Sequence, residues 1–158
     1  MAPMTVRLAT PADAFVVGGL LFDFNTEFEA PTPSAADLGD RFTALLARTD
    51  VLVVLAEDPA TAAPTGFGYL TLRPTPYGDG PLAQLEELYV LPSLRDQGVG
   101  TALITRALSE VRDRGAIEMH INVDEVDVDT RRFYERHGFT NIEPGADYRM
   151  LCYVQELA

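Results

Sequence analysis

The sequence predicts an α/β (α+β) fold, a single domain over residues 1–158. It would hold a mixed, mostly antiparallel sheet of about six to seven strands flanked by about four helices. Three observations carry this. Apolar runs of strand length follow one another with proline- and glycine-rich turns between them. Two stretches, near the start and past the middle, show helical spacing of apolar residues instead. The resulting order, β-α-α-β-β-β-α-β-α-β-β, contains no repeat and no linker.

Thr5 to Ala9 is a short extended run. Thr10-Pro11-Ala12-Asp13 then supplies an N-cap, a first-turn proline and a first-turn acid, so a helix follows. Ala14 to about Phe24 is apolar nearly all round, as in a buried helix. Pro31 and Pro33 end it in a loop that carries Glu27 and Glu29, and Ser34-x-x-Asp37 starts a second helix through roughly Arg48. Val51 to Ala56 is continuously apolar and reads as a buried strand. Gly66 to Arg73 makes a hairpin with it, and Leu82 to Val90 follows a looser excursion. Val99 to Arg114 is amphipathic, with Ala102, Leu103, Ala107, Leu108 and Val111 inward and Gly115 beyond its end. Ile117 to Val123 alternates as a strand. Asp129 caps a short helix ending at Gly138, and Phe139 to Glu143 and Asp147 to Val154 are the last two strands.

Composition excludes several classes of function. The formal charge is −12, which argues against a nucleic-acid partner, because phosphate contacts need an excess of basic groups. An acidic field instead concentrates cationic ligands, although it also simply keeps a protein dissolved. No apolar run has the length of a membrane span and no leader pattern stands at the start, so a cytoplasmic protein without a membrane partner is expected. Cys152 is the only cysteine, so no disulfide framework or zinc cluster is expected. It reads as a small buried residue of the last strand. His120 and His137 have no companion at ligand spacing, so no metal is expected. The chain has no lysine, and its 12 strongly basic residues are all arginine, which rules out any modification of a lysine side chain.

The most informative stretch joins the strand Leu85-Glu86-Glu87-Leu88-Tyr89-Val90 to Arg95-Asp96-Gln97-Gly98-Val99-Gly100-Thr101. Glycine lets a ligand approach the main chain, and the amides from Gln97 to Thr101 stand at a helix start, where an anion is favoured. A pyrophosphate suits that geometry. Arg95-x-x-Gly98-x-Gly100 resembles the Q/R-x-x-G-x-G/A signature of the GCN5-related N-acetyltransferases. Leu88-x-Val90 is similar to the strand-four L-x-V of that family, and Arg131-Arg132-Phe133-Tyr134-Glu135-Arg136-His137-Gly138-Phe139 is similar to its late F-Y-E-x-x-G-F.

The resemblance implies the acetyltransferase fold and acetyl-CoA as co-substrate. Leu88, Tyr89, Val90, Arg95, Asp96, Gln97, Gly98, Val99, Gly100 and Thr101 would lie along the cofactor, with Asp127 beside its pantetheine arm. Two of these depart from the family pattern: Asp96 replaces a small or basic residue, and Asp127 stands where asparagine is usual. An acid near a pyrophosphate is tolerable only if its amide, and not its carboxylate, faces the phosphates.

Acetyl transfer to an amine needs a base for the ammonium, an acid for the departing thiol and an N–H donor for the oxyanion. Regular alternation would put Gln84, Glu86, Leu88 and Val90 on one face of the strand and Leu85, Glu87 and Tyr89 on the other. Leu85-Glu86-Glu87-Leu88-Tyr89-Val90 is similar to the L-E-D-x-F-V of polyamine acetyltransferases, which implies Glu86 as base and Glu87 as an acceptor-binding acid. The F-Y-E resemblance implies Tyr134 as the acid, and a backbone N–H near Tyr89 or Val90 would polarise the carbonyl. Glu27 and Glu29 would meet a cationic acceptor: a polyamine- or aminoglycoside-like amine, or a peptide. Two other readings stay open, a non-catalytic acyl-CoA-binding regulatory domain and an O- or longer-chain acyltransferase. Met150, Leu151, Tyr153 and Val154 are either a homodimer surface or core.

Overall fold

A computed structural model describes residues 4–158. The elements run in the order β1 (Thr5–Leu8), α1 (Ala14–Glu27), α2 (Ala35–Leu46), β2 (Val51–Glu57), β3 (Pro64–Arg73), β4 (Leu82–Val90), α3 (Val99–Asp113), β5 (Glu118–Ile121) and α4 (Val128–Arg136). Single 3-10 turns at Pro11–Asp13 and Pro92–Leu94 lead into α1 and towards α3. The described chain forms two compact units, Met1–Ile121 and Asn122–Ala158.

The first unit holds a five-stranded sheet in the order β1-β2-β3-β4-β5. Its first three junctions are antiparallel, and β4 and β5 are parallel. One face is covered by α1 and α2. Val17, Leu20 and Leu21 of α1 and Leu38 and Phe42 of α2 pack with Val53, Leu55, Phe67 and Tyr89 of the sheet. On the other face lie Leu103, Ile104 and Ala107, the fully buried stripe of α3. A Cβ on Gly66 would come within 3.2 Å of the Leu103 side chain, which places Gly66 on that second face.

α1 and α2 approach closely because both carry glycine at the crossing. A Cβ at Gly18 would lie 2.5 Å from the Gly39 nitrogen, and one at Gly39 would overlap the Phe15 ring. α1 is therefore buried along one side while Phe15 and Val16 are exposed, a narrower apolar contact than its composition implies. At the sheet edge, Arg7 donates to Asp13 at 2.8 Å and also to Glu57, tying β1 to the start of α1 and to β2. The Arg7 guanidinium holds the Asp13 carboxyl down at about 2, against burial that acts the other way.

The mixed, mostly antiparallel sheet and the four helices are as the sequence predicts, with five strands in place of six or seven. Neither Phe139 to Glu143 nor Asp147 to Val154 forms a strand. The turn between them does form: Ala146 N–H donates to Glu143 O at 3.0 Å and Gly145 has φ 84°, the Pro-Gly pattern of a type II turn. Only Met150 N–H to Asn141 O, 2.7 Å, links the two arms across it. A type II turn splays its arms, and a two-stranded ribbon taken by itself is marginal. Tyr148, Met150, Leu151, Tyr153 and Val154 are exposed, which removes the core alternative for this segment. Cys152 is likewise exposed rather than buried, since the strand expected to carry it does not form.

The glycine crossing makes a paired prediction. Gly18→Ala should destabilise by about 1–3 kcal/mol, since backbone and not a flexible side chain must move. Gly19→Ala meets nothing within 4 Å and should stabilise by about 1 kcal/mol through helix propensity. Urea unfolding of the two variants beside wild type checks both signs.

Candidate active site

β4 carries the site because its pairing changes along its length. Its parallel ladder with β5 runs only from Leu82↔Glu118 to Leu85↔Ile121. The antiparallel ladder with β3 continues to Gly66↔Val90. From Glu86 onward, β4 has a strand partner on one side only among the described residues. An unpaired edge is therefore present beside Tyr89 and Val90, and it begins earlier, at Glu86.

At the same point the β3–β4 register shifts. Tyr69 pairs with Glu87, yet the next pair is Leu70↔Leu85, so Glu86 is an extra residue on β4. Such a bulge breaks alternation and re-aims side chains. Tyr69 touches Phe42 of α2, and Tyr89 touches Phe24 of α1, at ring-centroid distances of 5.4 and 4.9 Å. Glu87 lies between Leu88 and the bulge and pairs with Tyr69, on this same helix-covered face. Glu86 is there too, because Thr71, two residues from Tyr69, donates its hydroxyl to Glu86 Oε1 at 2.7 Å. Leu88 and Val90 pair with Gly68 and Gly66 and face α3. The expected division of Glu86 and Glu87 between opposite faces is therefore wrong, since no single-strand periodicity contains a bulge.

The two carboxylates differ in environment. Glu86 is exposed and takes the Thr71 hydrogen bond, whereas Glu87 is half-buried. Burial, and then the charge of Glu86, push the Glu87 carboxyl above the ordinary glutamate value. Burial and the same two acids also raise the Tyr69 phenol. Of the pair, Glu87 has its proton affinity moved towards that of a general base working near neutral pH. Beside them on β5, His120 pairs with Gln84, donates Nε2–H to Glu118 at 2.8 Å and accepts from Arg73 at 3.3 Å. Thr71, Tyr69 and His120 were not foreseen as neighbours of the acids. Only the strand register reveals them.

The loop after β4 has the expected form. Pro92–Leu94 is a 3-10 turn, Gly98 with φ 86° is the N-cap of α3, and Ala102 N–H to Gly98 O, 3.0 Å, is the first bond inside the helix. The amides of Val99 and Gly100 precede that bond, at the positive end of a helix of 15 residues. A Cβ on Gly98 would meet nothing within 4 Å, so the space before the helix start is open to a ligand. These features fit the phosphates of acetyl-CoA. Asp96 is exposed with φ 60°, a left-handed conformation that aspartate tolerates better than most residues.

The residues expected at the acceptor are placed unevenly. Glu27, the last residue of α1, is ion-paired to Arg95 at 2.7 Å and accepts the Tyr89 hydroxyl at 3.3 Å. Arg95 pulls its carboxyl below the ordinary value. Glu29 is exposed with φ 54°, at the left-handed position of a helix terminator in which Ala30 N–H bonds Asn25 O and Glu29 N–H bonds Thr26 O. In the second unit, Asp127 is the exposed N-cap of α4, and its carbonyl accepts from Arg131 N–H at 2.9 Å. Tyr134 is buried in α4, with the rings of Phe133 and Phe139 at 5.2 and 5.6 Å. Among the described residues no cluster of three or more His, Cys, Asp or Glu could hold a metal ion, and no helix is long and apolar enough to cross a membrane. A surface hollow of about 380 Å3, bounded by Leu46, Arg48, Thr49 and Arg114 among others, contains none of the candidate residues.

The Glu87 shift has a stability signature. A carboxyl raised on folding favours the native state most below its unfolded value and loses that advantage as pH rises through the folded value. Glu87→Gln should therefore be more stable than wild type at pH 7, with the difference vanishing below the ordinary glutamate value of 4.5. Urea unfolding at pH 4 and pH 7 reads this. A difference of equal size at both pH values would contradict it.

The model of the acetyltransferase (GNAT) family matches residues 20–139. A mycothiol acetyltransferase from Thermobispora bispora is 33% identical over 96 residues, 60% of this chain and 32% of that protein. Aminoglycoside N(6')-acetyltransferase type 1 from Klebsiella aerogenes is 34% identical over 96 residues, 58% of this chain and 60% of that protein. The matched stretch thus spans less than two thirds of either curated relative. Among solved structures, a protein from Arthrobacter sp. FB24, provisionally called an acetyltransferase, superposes with a TM-score of 0.91 at 48% identity. That likeness covers 99% of this chain and 98% of the other. With the family model covering most of its length, the chain belongs to the acetyltransferase (GNAT) family.

Proposed function

We propose that the protein is an acetyl-CoA-dependent N-acetyltransferase. Its acceptor is a primary amine of a small cationic molecule, polyamine- or aminoglycoside-like, or of a peptide, and attack is direct, within a ternary complex. The observation that carries this is the bulge in β4, which sets Glu86 and Glu87 side by side where β4 loses its β5 partner. The aminoglycoside acetyltransferase of Klebsiella aerogenes and the −12 charge both favour a cationic acceptor.

Acetyl-CoA supplies an activated thioester carbonyl. The α3 start holds its phosphates through main-chain amides around Gly98, and β4 beyond Glu86 offers main-chain N–H groups to the carbonyl oxygen. The roles that the resemblance implies for the two acids are here exchanged: Glu86, exposed beside Thr71, holds the ammonium of the incoming amine electrostatically. Glu87, whose carboxyl is raised by burial and by Glu86, takes the proton that the ammonium must lose before its nitrogen can attack. As the C–S bond breaks, Tyr134 gives its phenolic proton to the sulfur, and the products are the acetylated amine and coenzyme A. Two protons leave the ammonium on the way to the amide: Glu87 takes the first, and the second, lost once the C–N bond has formed, makes good the proton that Tyr134 gives to the sulfur, so one net proton is released.

Coenzyme A release from acetyl-CoA, measured against polyamines, aminoglycosides and short peptides, tests this. At least one class should turn over. Glu87→Gln should lower kcat by about 10²- to 10³-fold at pH 7, with partial recovery at high pH, where more of the amine is already neutral. Tyr134→Phe should lower kcat without weakening coenzyme A binding. Thermal protection by coenzyme A without release from any amine would instead make the protein a binding module. Unchanged turnover in both variants would place the chemistry elsewhere.

A further inference from the structure

The arginine of the cofactor motif is turned away from the cofactor loop. Its Nη1 lies 2.7 Å from Glu27 Oε2, its Nη2 2.9 Å from Glu27 Oε1, and its Nε donates to Val90 O at 3.1 Å. All three guanidinium nitrogens are thus engaged, two of them in the bidentate fork that arginine forms with a carboxylate. The same group lies over the rings of Phe28 and Tyr89, 5.9 and 5.7 Å from their centroids. Tyr89 completes the arrangement by donating its hydroxyl to Glu27.

We infer that Arg95 is a positioning residue that clasps the end of α1 for the acceptor, and that its side chain is not a ligand of the coenzyme phosphates. This rests on the acetyltransferase reading of the same site. To reach a phosphate at the α3 start, the guanidinium would have to leave Glu27, the Val90 carbonyl and two aromatic faces together. The phosphates do not require it, since the amides around Gly98 already form an anion site. Glu27 is equally committed, with both oxygens on Arg95, so it does not receive the acceptor cation directly. What the clasp sets is the position of Phe28 and Glu29, which follow Glu27 in the tight left-handed end of α1. Held there, they bound the acceptor on the face where Glu86 and Glu87 lie, and Arg95 links that wall to the end of β4.

Three variants test the assignment: Arg95→Gln, Glu27→Gln and the charge-reversed pair Glu27→Arg/Arg95→Glu. Calorimetric titration with coenzyme A should give a Kd within about twofold of wild type for Arg95→Gln and Glu27→Gln. The acceptor KM should rise about tenfold or more in both, with a smaller change in kcat, the pattern of lost acceptor positioning. The reversed pair should recover most of the acceptor KM. A coenzyme A Kd raised tenfold in Arg95→Gln, with acceptor KM unchanged, would overturn it. Should wild type turn over no amine, the acetyltransferase reading fails by itself. The clasp is then judged from coenzyme A affinity and from a thermal double-mutant cycle, where uncoupled effects at positions 27 and 95 overturn it.

Discussion

One extra residue in β4 organises this site. Because Leu70 pairs with Leu85 while Tyr69 pairs with Glu87, the strand enters the sheet with one alternation and leaves it with the other. Leu85 and Leu88 both serve the α3 side of the core, and the residues between them have to be accommodated on the opposite side. Those residues are the two glutamates. A regular strand would have sent one of them into the packing against α3, where Leu103 and Ile104 have no exposure at all. A lone carboxylate there would carry a large desolvation cost. The bulge avoids that and brings two acids to one face, where the charge of Glu86 adds to burial in raising Glu87.

The end of the β4–β5 ladder at Leu85 is the second half of the same arrangement. Before it, β4 is a central strand with both edges paired. After it, backbone N–H and C=O groups on one edge are released exactly where the carboxylates emerge on the helix-covered face, and Gly98 then starts α3 a few residues later. Negative and positive tasks are therefore separated by a short run of chain. In the proposed mechanism the helix start takes the anion through its amides, while the bulge face takes the cation through Glu86 and Glu87. Arg95, bonded to Glu27 and to the Val90 carbonyl, ties the end of β4 to the end of α1.

Much of this was legible in the sequence. Pro11 with Asp13, Ser34 with Asp37, and Gly98 and Gly115 mark helix ends by local chemistry, and the observed ends lie close to them. The motif from Arg95 to Gly100 located the helix start, since the need for a residue without a Cβ is a property of the chain itself. The bulge was not read from the sequence: its register is a relation between two strands, and the local sign of it, the adjacent Glu86 and Glu87 that interrupt the alternation of β4, does not by itself say which residue is the extra one. The Arg95–Glu27 pair joins residues at distant points of the chain, and nothing local to either announces it. The last two strands failed for a related reason. Tyr148, Met150, Tyr153 and Val154 have strand-forming side chains, but that preference expresses a packed surface, and here those side chains are exposed.

The central claim is that the bulge couples two carboxylates and raises Glu87. Carbon-13 NMR titration of the glutamate side-chain carboxyls, in wild type and in Glu86→Gln, measures this at the residue concerned. The account predicts that Glu87 titrates above the ordinary glutamate range and moves part of the way back when Glu86 loses its charge, with the remaining shift due to burial. A Glu87 carboxyl that titrates in the ordinary range and ignores the substitution would contradict it.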